Sequence, residues 1–281
     1  MKFYKYQGAG NDFLIADNRD GSIVLSTEQI AALCDRRYGV GADGLMLLDA
    51  PEDPISEDFR MTYYNSDGSG GMMCGNGGRC IVAFAADMGV KNYRFTAADG
   101  FHHATISSDD SHKKIVTLQM KDVSFYEHYD VLDGVEVPSD GCFLDTGTRH
   151  YVRIVEGIDG YDVVGEGRAI RYGAVQLQPV GANVNFIEPT DGAVLKVLTY
   201  EKGVEDETFA CGTGIVASCI AAYKAGIRPS ETYSDGSVKY DVRAKRDDLS
   251  VRFSPSSCGL VAEDVFLTGP ATYVAEIEVA I

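Results

Sequence analysis

Two glycine-rich turns carry a cysteine each, Met73-Cys74-Gly75-Asn76-Gly77-Gly78 and Ala210-Cys211-Gly212-Thr213-Gly214, and each runs into an alanine-rich stretch of helical character. This places two thiols at two helix N-termini. A helix N-terminus presents unsatisfied N–H groups and roughly half a positive charge, so it lowers a nearby thiol's pKa and offers a seat for a carboxylate. A thiol whose ordinary pKa is about 8.5, drawn toward neutrality, suits both the base and the acid of a proton transfer. Inverting the α-carbon of an amino acid needs both, one on each face, together with stabilisation of the charge that builds on the carboxylate. The backbone N–H groups of Gly75, Asn76, Gly212 and Thr213 are expected to supply that stabilisation, and the glycines let the backbone approach the ligand.

The elements that would position these thiols repeat along the chain. Each cysteine follows an apolar strand-like run, at 59–64 or 194–200, and an acidic, glycine-bearing loop. Each helix is expected to stop at a glycine fifteen residues beyond its cysteine, Gly89 or Gly226, where a left-handed C′ position favours glycine. An Asp-Gly pair follows in each copy, Asp99-Gly100 and Asp235-Gly236, and predicts a tight hairpin. Residues 27–37 read as a surface helix, and 1–6, 115–120, 151–156 and 249–253 as strands. The fold class is therefore α+β, in two halves that each set a central helix among β-strands. The domains are expected to be 1–121, carrying Cys74 and completed by 271–281, and 122–270, carrying Cys211.

Composition narrows the function. The 281 residues hold 25 Lys and Arg against 42 Asp and Glu, a formal charge of −17, which disfavours nucleic acid and anionic membranes as partners. Seven cysteines without C-x-x-C spacing, and no long apolar run, point to a reduced cytoplasmic protein. Cys34, Cys142, Cys219 and Cys258 read as buried structural thiols, and Cys80, six residues after Cys74, as packing. The spacings suit neither zinc nor a dinucleotide loop, so no metal or cofactor is expected. His102 and His103 are expected to straddle a strand, and Glu205-Asp206-Glu207 to form a loop.

Several ordered motifs carry a resemblance across nearly the whole chain. They are Gly8-Ala9-Gly10-Asn11-Asp12-Phe13, Asp35 to Gly44, Tyr64-Asn65-Ser66-Asp67-Gly68-Ser69, Cys74 to Cys80, Ala182-Asn183-Val184-Asn185-Phe186, Tyr200 to Thr208, the second cysteine turn, and Thr268-Gly269-Pro270-Ala271. Together they resemble the diaminopimelate epimerases, which invert an α-carbon with two cysteines and no pyridoxal phosphate. The resemblance implies two pseudo-symmetric domains that close over a small amino-acid substrate, and a homodimer. It implies Cys74 and Cys211 as the acid/base pair, and Asn11, Asn65, Asn76 and Asn183 as holders of ammonium and carboxylate groups. It places Gly75-Asn76 and Gly212-Thr213 on the carboxylate-binding turns, and His150 and Glu201 beside the cysteines.

Three positions depart from the family pattern. Lys202 stands where an arginine usually grips the substrate's non-reacting carboxylate, Arg149 stands where a proline usually precedes the matched histidine, and Gly70 replaces a common glutamate. A lysine keeps the charge but loses the planar two-pronged fit; Arg149 is a candidate to restore it. Epimerisation of LL- to meso-diaminopimelate, for lysine and peptidoglycan precursors, is the expected activity. A racemase of another amino acid on the same fold is the alternative, and a thiol-redox or amino-acid-binding protein the alternative of another class.

Overall fold

A computed structural model describes residues 1–71, 73–110, 112–124, 141–173, 180–256 and 261–280. Cys258 and most of the acidic stretch 122–140 lie outside the described residues. The chain divides into two compact units, Met1–Gln119 with Thr268–Ile281, and Met120–Leu267.

In the first unit β1 (Lys2–Gly8) and β2 (Asn11–Asn18) form a hairpin, α1 (Thr27–Cys34) leads to β3 (Gly44–Asp49) parallel to β2, and β4 (Phe59–Asn65) returns antiparallel to β3. Then come α2 (Gly75–Asp87), β5 (Tyr93–Ala97) parallel to β4, and the antiparallel strands β6 (Gly100–Asp109) and β7 (Lys113–Gln119). In the second unit a short β8 (Val123–Ser124) precedes β9 (Gly141–Asp145) and β10 (Arg149–Ile154), which pair antiparallel. After α3 (Val163–Gly173), β11 (Asn183–Pro189) lies parallel to β10, and β12 (Val194–Glu201) returns antiparallel to β11. The unit continues with β13 (Asp206–Thr208), α4 (Gly212–Lys224), β14 (Glu231–Thr232), β15 (Val238–Arg243) parallel to β12, and β16 (Asp248–Pro255). The final strand β17 (Val261–Glu278) pairs with β8 near its start and with β7 and β1 further on.

Both units thus run through one order: an antiparallel pair, a helix, a parallel neighbour, an antiparallel return, a central helix and a second parallel neighbour. A helix surrounded by strands is buried on every side. Residues 75–85 of α2 and 212–222 of α4 are all buried. Side chains such as Ile81, Phe84, Ile215 and Ile220 each stabilise the fold by roughly 1.5–3 kcal/mol through burial. Both helices end as expected, with Gly89 at φ 82° and Gly226 at φ 75° just past the last turn.

Several local expectations need correction. Helix α1 stops at Cys34 instead of 37, because Asp35 turns extended and its carboxylate accepts the amides of Arg37 and Tyr38. The hairpin at Asp99-Gly100 is tight, but the one at Asp235-Gly236 is longer, since Thr232 pairs with Val238 and Asp235 Oδ1 holds the Ser237 amide inside the loop. Cys34 and Cys219 are buried, whereas Cys142 is only half-buried on β9. Residues 206–208 pair with β12 as a strand instead of forming a loop, and Glu205, in the turn before them, binds Arg171 and the Tyr200 hydroxyl. Helix α3 was not foreseen: Gly165 and Gly167 weaken its pattern, yet Asp162 caps it through the Gly165 amide, and Gly167 leaves room for Tyr200.

Candidate active site

Cys74 is the N-cap of α2 and Cys211 the N-cap of α4. Their backbones are extended, at φ −112° and ψ 119° for Cys74 and φ −101° and ψ 114° for Cys211, and neither thiol makes a capping hydrogen bond to its own helix. The cysteine carbonyls accept the first helical bonds, from Gly78 at 2.7 Å and Ile215 at 2.8 Å. Each sulfur therefore stands off a buried helix N-terminus, where the dipole favours a thiolate or a carboxylate.

Around Cys74 the structure gathers Asn11, Asn76 and, beyond them, groups that hold the two amides. Cys74 Sγ donates to Asn11 Oδ1 at 3.6 Å, and Asn11 Nδ2 donates to Asp43 Oδ2 at 2.6 Å. Asp43 also accepts the Asp12 amide and Arg36, whose guanidinium bridges Asp12 and Asp43. The asparagine orientation is thus set by a carboxylate, leaving its oxygen for the thiol. Asn76 is buried, and its Oδ1 accepts from Arg79 Nη2 at 2.9 Å. Arg79 is fully buried and also donates to the Gly75 carbonyl, so a guanidinium stiffens the first turn of α2. Asn65 lies exposed at the end of β4, opposite Gly44, with Nδ2 donating to Ser69 Oγ. Cys80 is fully buried on α2, and burial pushes its thiol well up, which fits packing.

Around Cys211 the structure gathers Thr213 and His150. Cys211 Sγ lies 3.3 Å from Thr213 Oγ1, which lies 3.0 Å from His150 Nε2. Thr148 Oγ1 is 3.0 Å from both Thr213 Oγ1 and His150 Nε2. On the far side of the ring, Asn185 Nδ2 is 3.0 Å from His150 Nδ1. Burial alone pushes His150 down to about 3, so its ring is neutral.

The remaining expected residues sit further along the same strands. Asn183 accepts the Lys202 amide on Oδ1 at 2.8 Å and donates from Nδ2 to the Arg149 carbonyl at 3.3 Å, tying β10 to the end of β12. Glu201 accepts the Thr208 hydroxyl, Lys202 Nζ donates to the Val180 carbonyl, and the Arg149 guanidinium lies 6.0 Å over the Phe143 ring. Sequence reasoning passed over Asp43, Arg79, Thr148, Asn185 and Thr199 as contributors. Asp43, Arg79 and Asn185 lie within the quoted motifs, but Thr148 and Thr199 lie outside them; Asn185 and Thr199 meet through strand register, and Arg79 bonds back onto the first turn of its own helix.

The fold and the paired cysteine turns define a class of duplicated α+β proteins. The same fold occurs in a Bacillus anthracis phenazine biosynthesis protein of the PhzF family, at TM-score 0.68 and 15% identity over 100% of this chain and 99% of that one. It occurs also in a probable proline racemase from Agrobacterium radiobacter K84, at TM-score 0.68 and 18% identity over 100% and 93% of the two chains. The family model for diaminopimelate epimerase matches residues 3–126. A diaminopimelate epimerase of Flavobacterium psychrophilum is 42% identical over 98% of this chain and 99% of its own length, and that of Aquifex aeolicus 37% identical over 98% and 96%. The chain belongs to the diaminopimelate epimerase family.

Proposed function

We propose that the protein is an isomerase that inverts LL-diaminopimelate to the meso form by a two-base mechanism, with Cys74 and Cys211 as the thiol/thiolate pair. The observation that carries this reading is the repeated placement of a cysteine as N-cap of a buried helix, in a chain of this family. Inversion needs a base on one face of the α-carbon and an acid on the other; one thiol serves each face. The thiolate removes the α-proton, and the opposite thiol delivers its own. As the α-proton leaves, charge moves onto the carboxylate, and the first-turn N–H groups of Gly75-Asn76 and Gly212-Thr213 stabilise it in the manner of an oxyanion hole, worth roughly 3–4 kcal/mol per well-placed donor. Arg79 holds the Asn76 side chain and the Gly75 carbonyl, so this turn need not reorganise during the reaction.

Asn11, Asn65, Asn183, Glu201 and Lys202 are the proposed holders of substrate ammonium and carboxylate groups, with His150 and Arg149 in support. The family resemblance supports a homodimer in the cytoplasm. Among the described residues no helix is long and apolar enough to cross a membrane.

The test is a substrate panel: LL-diaminopimelate and single L-amino acids, each followed by chiral separation of the product. Conversion of diaminopimelate alone supports the reading. Conversion of a different amino acid would move the substrate assignment while keeping the reaction type, and conversion of none would favour a redox or binding role.

A further inference from the structure

His150 and Asn185 occupy the places that Phe13 and Met46 fill in the first unit. Phe13 pairs with Gly44 on the parallel neighbour, and Met46 stands two residues beyond; His150 pairs with Asn183, and Asn185 stands two beyond. All four are fully buried. The glycine three residues after each cysteine senses the same positions. A Cβ on Gly77 would meet Met46 Sδ at 3.2 Å and Phe13 Cζ at 3.5 Å, and one on Gly214 would meet Asn185 Oδ1 at 2.5 Å and His150 Cε1 at 3.1 Å. An apolar pair therefore suffices to pack the base of a cysteine helix in this topology. Polar groups buried there instead must be hydrogen-bonded throughout, so the network answers a need other than packing.

The network has a direction. Thr199 Oγ1 donates to Asn185 Oδ1 at 2.9 Å, and the Tyr151 carbonyl accepts from Asn185 Nδ2 at 3.4 Å; both turn the amide NH2 toward His150. His150 Nδ1 then accepts from that NH2, and the single proton of the neutral ring sits on Nε2. Nε2–H enters the triangle formed with the Thr148 and Thr213 hydroxyls. A ring that brings a hydrogen into this triangle leaves the Thr213 hydroxyl hydrogen available to Cys211 Sγ at 3.3 Å. A bare Nε2 would draw a hydroxyl hydrogen to itself.

We infer that Asn185 and Thr199 are positioning residues: they hold His150 as its Nε2–H tautomer, which makes the Thr213 hydroxyl a donor to Cys211 and favours the thiolate form of that cysteine. The catalytic meaning rests on the epimerase reading, but the tautomer does not.

The first measurement is 15N NMR of the imidazole of His150 in the full-length protein. The expected spectrum has the proton on Nε2 and a bare Nδ1; a proton on Nδ1 would overturn the inference. The second uses Asn185→Leu, similar in size and apolar like Met46, and the milder Thr199→Val. With the amide spectrum retained, Asn185→Leu is expected to lose the exclusive Nε2–H signature and to slow iodoacetamide alkylation of Cys211 by about tenfold, with Thr199→Val slowing it by about threefold. Cys74 alkylation in the same sample stays unchanged. Unchanged Cys211 reactivity in either folded variant contradicts the relay. If Asn185→Leu does not fold, the wild-type tautomer and Thr199→Val still decide. Wild-type protein that epimerises diaminopimelate with its proton on Nδ1 would sink the relay alone; an Nε2–H ring without epimerisation would sink the functional reading alone.

Discussion

The two cysteine helices share their topology, cap geometry and closing glycine, yet the floor beneath each differs. Under α2 lie Phe13 and Met46; under α4 lie His150 and Asn185. The sulfur partners differ as well. Cys74 donates to the Asn11 side-chain Oδ1, an acceptor only, whose amide is held by Asp43, whereas Cys211 faces the Thr213 hydroxyl, which is able to donate. The Thr213 hydroxyl offers Cys211 a hydrogen, and the Asn11 oxygen offers Cys74 none. A duplicated scaffold thus gives two like residues unlike neighbours, and an acid and a base need unlike surroundings.

The largest effect that would break this comparison is deletion of either sulfur. Cys74→Ala and Cys211→Ala are each expected to lower kcat for inversion by at least about a thousandfold, read by chiral separation of product. If one of the two variants kept near-full activity, the thiols would not be a pair.

A sharper probe is a methyl group on the paired glycines. Gly214→Ala drives a Cβ against Asn185 Oδ1 at 2.5 Å, while Gly77→Ala meets the flexible Met46 sulfur at 3.2 Å. The first should reduce kcat by roughly ten- to a hundredfold and the second by no more than about threefold, since moderate overpacking costs about 1–3 kcal/mol. Equal losses would mean that the polar floor has no special role.

Acid should separate the units next. His150 is held neutral with its pKa near 3 in the folded chain, against about 6.5 when unfolded, so the unfolded state binds the extra proton. Its share of stability is full above pH 6.5 and falls as the pH drops toward 3. At pH 5 the loss is of order 2 kcal/mol. Glu205, held down to about 2 chiefly by Arg171, adds a loss in the same direction below pH 4.5. Phe13 and Met46 carry no such liability. Hydrogen exchange at pH 7 and pH 5 should show protection falling more in α4 than in α2; equal loss in both would contradict the assignment.

The smallest expected effect is on the acceptor side of Cys74. Asp43→Asn keeps the size but lets the partner of Asn11 and Arg36 lose its charge. A fall in kcat of about tenfold or less is expected, with Cys74 alkylation altered and Cys211 alkylation unchanged. Movement of both thiols together would show that this network supports the fold more than the site.

Much of this was legible in the chain itself. The cysteine turns announce two helix starts, Gly89 and Gly226 mark their ends, and the family motifs place Asn11, His150 and Asn183 near them. The polar floor was not legible, because His150, Asn185 and Thr199 are far apart in sequence and meet only through the registers of β10, β11 and β12. Arg79 hid for another reason: an arginine on a helix is ordinarily solvated, and only a helix enclosed by strands buries it completely. Helix α3 escaped because its glycines lower local helix propensity, while Gly167 makes room for Tyr200 and Gly165 for the Asp162 carboxylate.

The central claim is that two thiols serve one α-carbon, and isotope exchange tests it most directly. LL-diaminopimelate is incubated with the enzyme in D2O and stopped early, and deuterium is located in product and in recovered substrate. The account predicts solvent deuterium at the inverted centre of the meso product, with the remaining LL substrate still carrying its original α-proton. Deuterium appearing equally in recovered substrate, or no exchange at all, would contradict it.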